Sequence, residues 1–395
     1  MNDYVIQVHH SPADVDAAAW DALLRAQPHG SVFMRHAYLS ALHASGSACT
    51  GTGWEPRFVL LSNDEGIAAA TVLYIKDHSM GEYVFDFAWA NAYQQHGLPY
   101  YPKAVVAVPF TPVPGSRLLA RDEVSRAALV RTLVGLSQQW GLSSLHLLFG
   151  ATEDMTACTQ AGMMLRHTVQ FHWNNRPGGY PDFDTFLDSL SQDKRKKIRQ
   201  ERRKVSEAGV TFRCSEGAAI STGDWEFFYR CYERTYLEHG NSPYLHPDFF
   251  SRMAQTMPEN WLLFVAEREG RPIASSLIAI GSYPSQNSAA SAPEFEKVAY
   301  GRYWGALERV DCLHFEACYY QPLVWCIANG YRRFEGGAQG EHKMARALLP
   351  VKTSSAHWIA HREFSDAIAN FLHREGSGIA NYMEDLHTRN PFRQT

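Results

Sequence analysis

The chain states one pattern twice, and that repeat constrains its fold more than any other feature. Residues 54–76 read WEPRFVLLSNDEGIAAATVLYIK: a strand, an acidic glycine turn and a longer strand. Residues 261–282 read WLLFVAEREGRPIASSLIAIGS and repeat that order at similar spacing. Each is a β-hairpin, because apolar and β-branched arms flank a charged turn that contains glycine. The flanking segments correspond as well. Before the first hairpin, 13–27 and 36–45 carry helical periodicity; before the second, 223–238 and 246–257 do. After the first come a helix over 122–140 and a buried strand over 141–149; after the second, a helix over 314–329 and a strand over 330–335. In both halves a glycine, Gly141 or Gly330, follows the helix as a C-cap. The expectation is a mixed α/β layer architecture built twice, with few βαβ crossovers and domains at 1–178 and 179–395.

Composition agrees with two cores. A chain of 395 residues exceeds the usual size of one core, and 45% apolar content can fill both. A net charge of −4 excludes a globally basic coat for nucleic acid but leaves room for a local basic patch. Neither a signal-peptide pattern near Met1–Val8 nor an apolar run of about 18 residues is present, so the expectation is a cytoplasmic protein without a membrane span. Seven scattered cysteines without a C-x-x-C pair read as reduced thiols rather than a disulfide framework or zinc cage. No metal is expected. His314-Phe-Glu316-Ala-Cys318 lacks the P-C-x-x-C half of a zinc deaminase; Cys318 stands either as a nucleophile or as a small apolar core residue.

The segment 334–343 reads FEGGAQGEHK. It places Glu335, Glu341, His342 and Lys343 beside Gly336, Gly337 and Gly340 where a strand ends. Glycines let a backbone approach a ligand closely. A short helix over 341–349, stopped by Pro350, would turn its free N–H groups toward the glycine turn. The counterpart in the first half, 150–154 (GATED), lacks the glutamine, histidine and lysine, which argues against a turn that serves the fold alone.

The junction of the halves is distinctive. An aspartate-rich helix over 181–190 (PDFDTFLDSL) leads through Ser191 into a Lys/Arg-rich helix, Lys194–Lys204, and then Gly209-Val210 into a strand. Together with 300–305 (YGRYWG), 313–316 (LHFE) and the Glu335–Lys343 segment, this resembles the FemAB-like family named for peptidoglycan biosynthesis or recognition, over nearly the whole chain. The resemblance implies two tandem GNAT-like domains. It further implies an acyltransferase that moves an acyl or aminoacyl group from a thioester or an aminoacyl-tRNA to an amine.

Such chemistry asks for a general base, oxyanion donors and a cradle for the carrier's phosphates. On the resemblance, Glu341 or His342 is the base and Glu335 orients the acceptor amine; Glu341 alternatively complements a helix dipole. Gln339, Lys343, Arg346, His314 and Glu316 are expected to bind substrate. Arg302, Tyr303 and Trp304 are also expected at substrate: they occupy the place of the pyrophosphate loop, although Leu307 replaces its last small residue. Tyr303 and Trp304 stand alternatively as an acceptor wall, a stacking face for a base, or simple packing. Lys197, Arg199, Gly336 and Gly340 are expected at phosphate, the basic helix otherwise being a solvated face. The first half alone carries an insertion, 86–119, with five prolines and many aromatics. It is expected to be ordered and non-helical, and either a substrate wall through Tyr101 and Lys103 or plain packing. No tightly bound cofactor is expected; acyl-CoA or aminoacyl-tRNA would be a co-substrate. The partners would be a small or nucleotide-linked amine and tRNA. A non-catalytic module recognising a nucleotide-linked or cell-wall ligand is the rival.

Overall fold

A computed structural model describes residues 4–284, 295–337 and 340–393. The chain gathers into two compact units. The first comprises Met1–Thr168, Tyr283–Pro293 and Lys352–Tyr382; the second, Val169–Ser282, Glu294–Val351 and Met383–Thr395. A single break at 178/179 therefore differs from the observed division, in which each unit takes back a late segment of the chain.

Unit 1 opens with β1 (Val5–His9), α1 (Ala17–Arg25) and α2 (His36–Ala44). The hairpin β2 (Glu55–Asn63) and β3 (Gly66–Lys76) follows, then α3 (Phe87–Gln95), β4 (Lys103–Val106) and β5 (Leu119–Ala120). After these come α4 (Glu123–Gln139), β6 (Ser144–Leu147) and α5 (Thr152–Gln160). Next come β7 (Met164–Asn174), of which residues 169–174 belong to unit 2, and then, in unit 2, α6 (Phe183–Asp188), α7 (Gln192–Glu207) and β8 (Val210–Glu216). Unit 2 continues through α8 (Thr222–Glu238), α9 (Pro247–Thr256), the hairpin β9 (Trp261–Arg268) and β10 (Arg271–Pro284), and β11 (Phe295–Ala306). Then α10 (Leu313–Phe315), a π turn at Glu316–Tyr320 and α11 (Gln321–Ala328) run on as one rod to β12 (Arg333–Glu335) and a 3-10 turn, Glu341–Arg346. The chain closes with β13 (Leu349–Ile359) and α12 (Arg362–Thr388). Among the described residues no helix is long and apolar enough to cross a membrane.

Within unit 1 the strands lie in the order β1-β2-β3-β4-β6-β13, with β5 against β3. Within unit 2 the order is β7-β12-β11-β10-β9-β8. The hairpins pair antiparallel, whereas β4 with β6 and β11 with β12 are parallel. The repeat read from sequence is thus a repeat of topology. Asp122 caps α4 by accepting from the Ser125 amide at 2.7 Å, and Ser221 caps α8 by accepting from that of Asp224 at 3.1 Å. Gly141 and Gly330 end the corresponding helices at φ 67° and 69°, a left-handed conformation that suits glycine. Apolar residues of β2, β3, β4, β6 and α4 fill the core of unit 1. In unit 2 residues 261–266 of β9 and 273–280 of β10 are buried, and Phe228, Tyr232, Phe250 and Tyr303 of α8, α9 and β11 pack edge to face with one another.

Three expectations are corrected. The insertion does contain a helix, α3, because its prolines begin only at Pro99 and residues 87–95 are free to coil. Residues 300–306 continue strand β11 rather than forming a loop. The segment after Gly340 makes only a six-residue 3-10 turn, ended by Ala347 at φ 62°, while Pro350 lies within β13.

Candidate active site

In unit 2, four of the expected residues stand on the single turn Glu341–Arg346. Gly340, at φ 119°, precedes it, and the His342 ring folds back beneath that residue. A Cβ at position 340 would come within 2.6 Å of His342 Cε1, so the glycine makes room for the imidazole. The ring is solvent-exposed, and its Nε2 lies 3.3 Å from the Tyr319 hydroxyl. Burial lowers the His342 pKa, and the Arg346 and Lys343 cations lower it further. Burial raises that of Tyr319, so the phenol stays protonated.

The two cations point inward. Lys343 is buried and donates to the Gly337 carbonyl at 2.9 Å; desolvation brings its amine down to about 8. Arg346 is buried too. It donates to both oxygens of Glu201 on α7 at 2.9 Å each and to the His342 carbonyl at 2.7 Å. Its guanidinium sits 3.5 Å from the centroid of Phe315, and Tyr320 donates to the same Glu201 carboxylate. His314 packs against Trp304 and Tyr319, and burial, followed by His342, pushes its imidazole down to about 4. The site therefore presents an exposed neutral imidazole above a floor of cations and aromatic rings.

The remaining expected residues, and the Glu341 side chain, meet other partners. Glu341 is exposed and pairs with Arg389 at 2.9 Å. Glu335 is buried, 3.0 Å from Arg333 Nε and 3.8 Å from His172 Nε2. Glu316 is buried in the π turn, where it accepts from Arg202 and Gln321. Gln339 lies outside the described residues. Gly336 lies against the tip of the Leu348 side chain, which a Cβ here would have to displace. Arg302 lies over the ring of Tyr303, which is itself buried in the aromatic core. Gly305 presses on the Cys231 carbonyl of α8, so the segment containing Arg302, Tyr303 and Trp304 is a packed strand and no pyrophosphate loop. Lys197 and Arg199 are exposed on α7, where Arg199 approaches Asp184 and Asp188 at 4.0 and 3.9 Å.

In unit 1, Lys103 is fully buried. It donates to Glu82 at 2.8 Å, to Ser79 at 2.8 Å and to Asp86. Tyr101 is half-buried, with its hydroxyl 2.8 Å from that of Ser79. From β4, Lys103 thus clamps the 79–86 segment, and its buried ammonium is not open to a ligand. Cys318 sits in the π turn, and burial pushes its thiol up to about 12, which makes it a poor nucleophile.

Sequence reasoning missed Tyr319, Phe315 and Glu201. Glu201 did leave a signal: it is the one acid between Lys194 and Lys204, and it falls on the buried stripe Ile198, Glu201, Val205 at helical spacing.

A family model described as FemAB-like, peptidoglycan biosynthesis/recognition, matches residues 11–394. No curated protein matches the chain. Among solved structures, FemX is similar at TM-score 0.53 and 10% identity, covering 92% of this chain and 100% of its own. L-PGS from Bacillus licheniformis is similar at TM-score 0.52 and 12% identity, over 90% and 97%. The C-terminal domain of a putative lysylphosphatidylglycerol synthetase from Agrobacterium fabrum reaches 0.51 and 12%, over 91% and 96%. At these identities the likeness is one of fold, a mixed α/β architecture.

Proposed function

We propose, on the premise that this chain belongs to the FemAB-like family, that unit 2 transfers an aminoacyl group from an RNA-linked ester to an amine, with His342 as general base. Membership of a family described by peptidoglycan biosynthesis/recognition supports an acyltransferase of the aminoacyl-transferring kind. Donor, acceptor and residue roles are the proposed part.

The observation that carries the reading is the exposed His342 ring, bonded to Tyr319 and set above Arg346 and Lys343. A lowered pKa keeps the imidazole neutral at pH 7, the form that can accept a proton. The amine nitrogen attacks the ester carbonyl, its proton passes to His342, and the C–O bond to the ribose breaks. The imidazolium then returns the proton to the departing oxygen. Tyr319 holds the ring in place, and the fields of Lys343 and Arg346 oppose the negative charge that grows on the carbonyl oxygen.

Two features favour an RNA carrier over coenzyme A. Residues 302–305, where a pyrophosphate loop would be expected, are a strand packed on α8. The outer face of α7 carries Lys196, Lys197, Arg199 and Arg203, and among the described residues no carboxylate lies within ion-pair distance of Lys196, Lys197 or Arg203. The test is transfer or release of label from a mixture of radiolabelled aminoacyl-tRNAs. His342→Gln is expected to lower the rate by about 10²–10⁴-fold with the fold intact, and Tyr319→Phe by less. Full activity of His342→Gln refutes the base, and turnover of acyl-CoA but not of aminoacyl-tRNA refutes the donor.

A further inference from the structure

The helix α7 has two faces of opposite use. Outward stand Lys196, Lys197, Arg199 and Arg203; Gln192, Arg195, Lys196, Arg199, Gln200 and Arg203 line a surface groove there. Inward, between Ile198 and Val205, stands Glu201, a carboxylate buried in the core. A buried charge costs several kcal/mol of desolvation unless its partners compensate, so a carboxylate on an otherwise apolar stripe calls for a specific partner. It has three hydrogen bonds: two from Arg346 and one from Tyr320. Both bonds from Arg346 leave one nitrogen, Nη2, which bridges the two carboxylate oxygens in a charge-assisted contact.

Arg346 does not stop at Glu201. Its other nitrogen, Nη1, holds the His342 carbonyl at 2.7 Å, and its plane rests on Phe315. The next residue of α7, Arg202, grips Glu316 of the π turn through Nε at 3.2 Å from each carboxylate oxygen. Tyr319, which holds the His342 ring, belongs to that same π turn. One helix thus holds both the main chain and the ring partner of the proposed base, through side chains that alternate with its outward cations.

We propose that Glu201 is a positioning residue: by locking Arg346 to α7 it sets the placement of His342, so that a polyanion engaged on the outer face of α7 steadies the catalytic turn. The inference rests on the RNA-donor reading of the same unit, and its test separates the two.

Hydrogen–deuterium exchange read by mass spectrometry, with unacylated total tRNA as the probe at low salt, follows 192–207 and 341–347 in the native protein, Glu201→Gln and Glu201→Asp. In the native protein, tRNA is expected to slow exchange in both segments by about 5-fold. In Glu201→Gln it should slow 192–207 alone. Glu201→Asp, which keeps the charge one methylene further back, should retain part of the response at 341–347 and guards against a misfolded glutamine variant. A purely structural Glu201 would raise basal exchange at 341–347 without changing the response to tRNA. A response at 341–347 equal in all three proteins, or absent from the native one while 192–207 is slowed, overturns the coupling and leaves the donor reading standing. No slowing of 192–207 in the native protein overturns the donor reading, and the coupling with it.

Discussion

Replacing Gly305 by alanine separates a packing glycine from a phosphate-loop glycine. A Cβ at this position would overlap the Cys231 carbonyl, which is main chain of α8 and cannot turn aside as a side-chain tip could. Relief requires α8 to move off β11 by about 1 Å or more, and such overpacking costs about 1–3 kcal/mol. The move also strains the bond from Thr235 Oγ1 to the Trp304 carbonyl at 2.9 Å, worth about 1 kcal/mol. Alanine recovers about 0.5–1 kcal/mol by narrowing the unfolded ensemble. The expected net loss is about 1–3.5 kcal/mol. Urea unfolding, followed by tryptophan fluorescence, measures it as a lower midpoint at unchanged slope. Unchanged stability together with lost binding of a nucleotide would refute the packing argument and restore the phosphate-loop reading.

Three further outcomes follow from the same geometry. His172 is buried, and burial followed by Arg333 and Lys343 holds its imidazole down at about 3. The unfolded chain therefore binds a proton that the folded one refuses between pH 6.5 and about 3, and stability falls with acid by up to about 1.4 kcal/mol per pH unit; His172→Gln should remove that slope in urea titrations at pH 7 and pH 5, and an identical pH dependence would contradict it. Lys103→Met strands the buried carboxylates Glu82 and Asp86 and should destabilise unit 1 by about 3–5 kcal/mol, seen as a lower midpoint in thermal or urea unfolding. Binding of RNA should weaken with salt, and Lys196→Gln with Arg203→Gln should each lessen the log–log slope by about 0.7–0.9, measured by fluorescence anisotropy; an unaltered slope would remove these residues from the interface.

Periodicity and glycine punctuation are local properties, so they were readable in the chain itself. The paired hairpins, the C-cap glycines Gly141 and Gly330, and the basic helix with its buried stripe all follow from spacing alone. The fold class and the turn carrying His342 and Lys343 were legible for that reason. What spacing leaves undecided is which way a side chain points and what it meets there. Glu335 and Glu341 look alike in sequence, yet the first is buried against Arg333 and the second sits in water beside Arg389. Lys103 reads as a cation on a loop and proves to be a sealed clamp. Arg302-x-x-Gly305 has nearly the spacing of a phosphate loop, but a strand can carry the same residues, and only the approach of α8 decides between them. Above all, Glu201 and Arg346 are 145 positions apart. Their contact is long-range, as are those of His342 with Tyr319 and Glu201 with Tyr320. Sequence determined that this chain repeats one α/β unit and concentrates ionisable groups at one turn. Tertiary structure decided which of those groups stay in water, because burial and partner choice depend on elements far apart in the chain that only folding brings together.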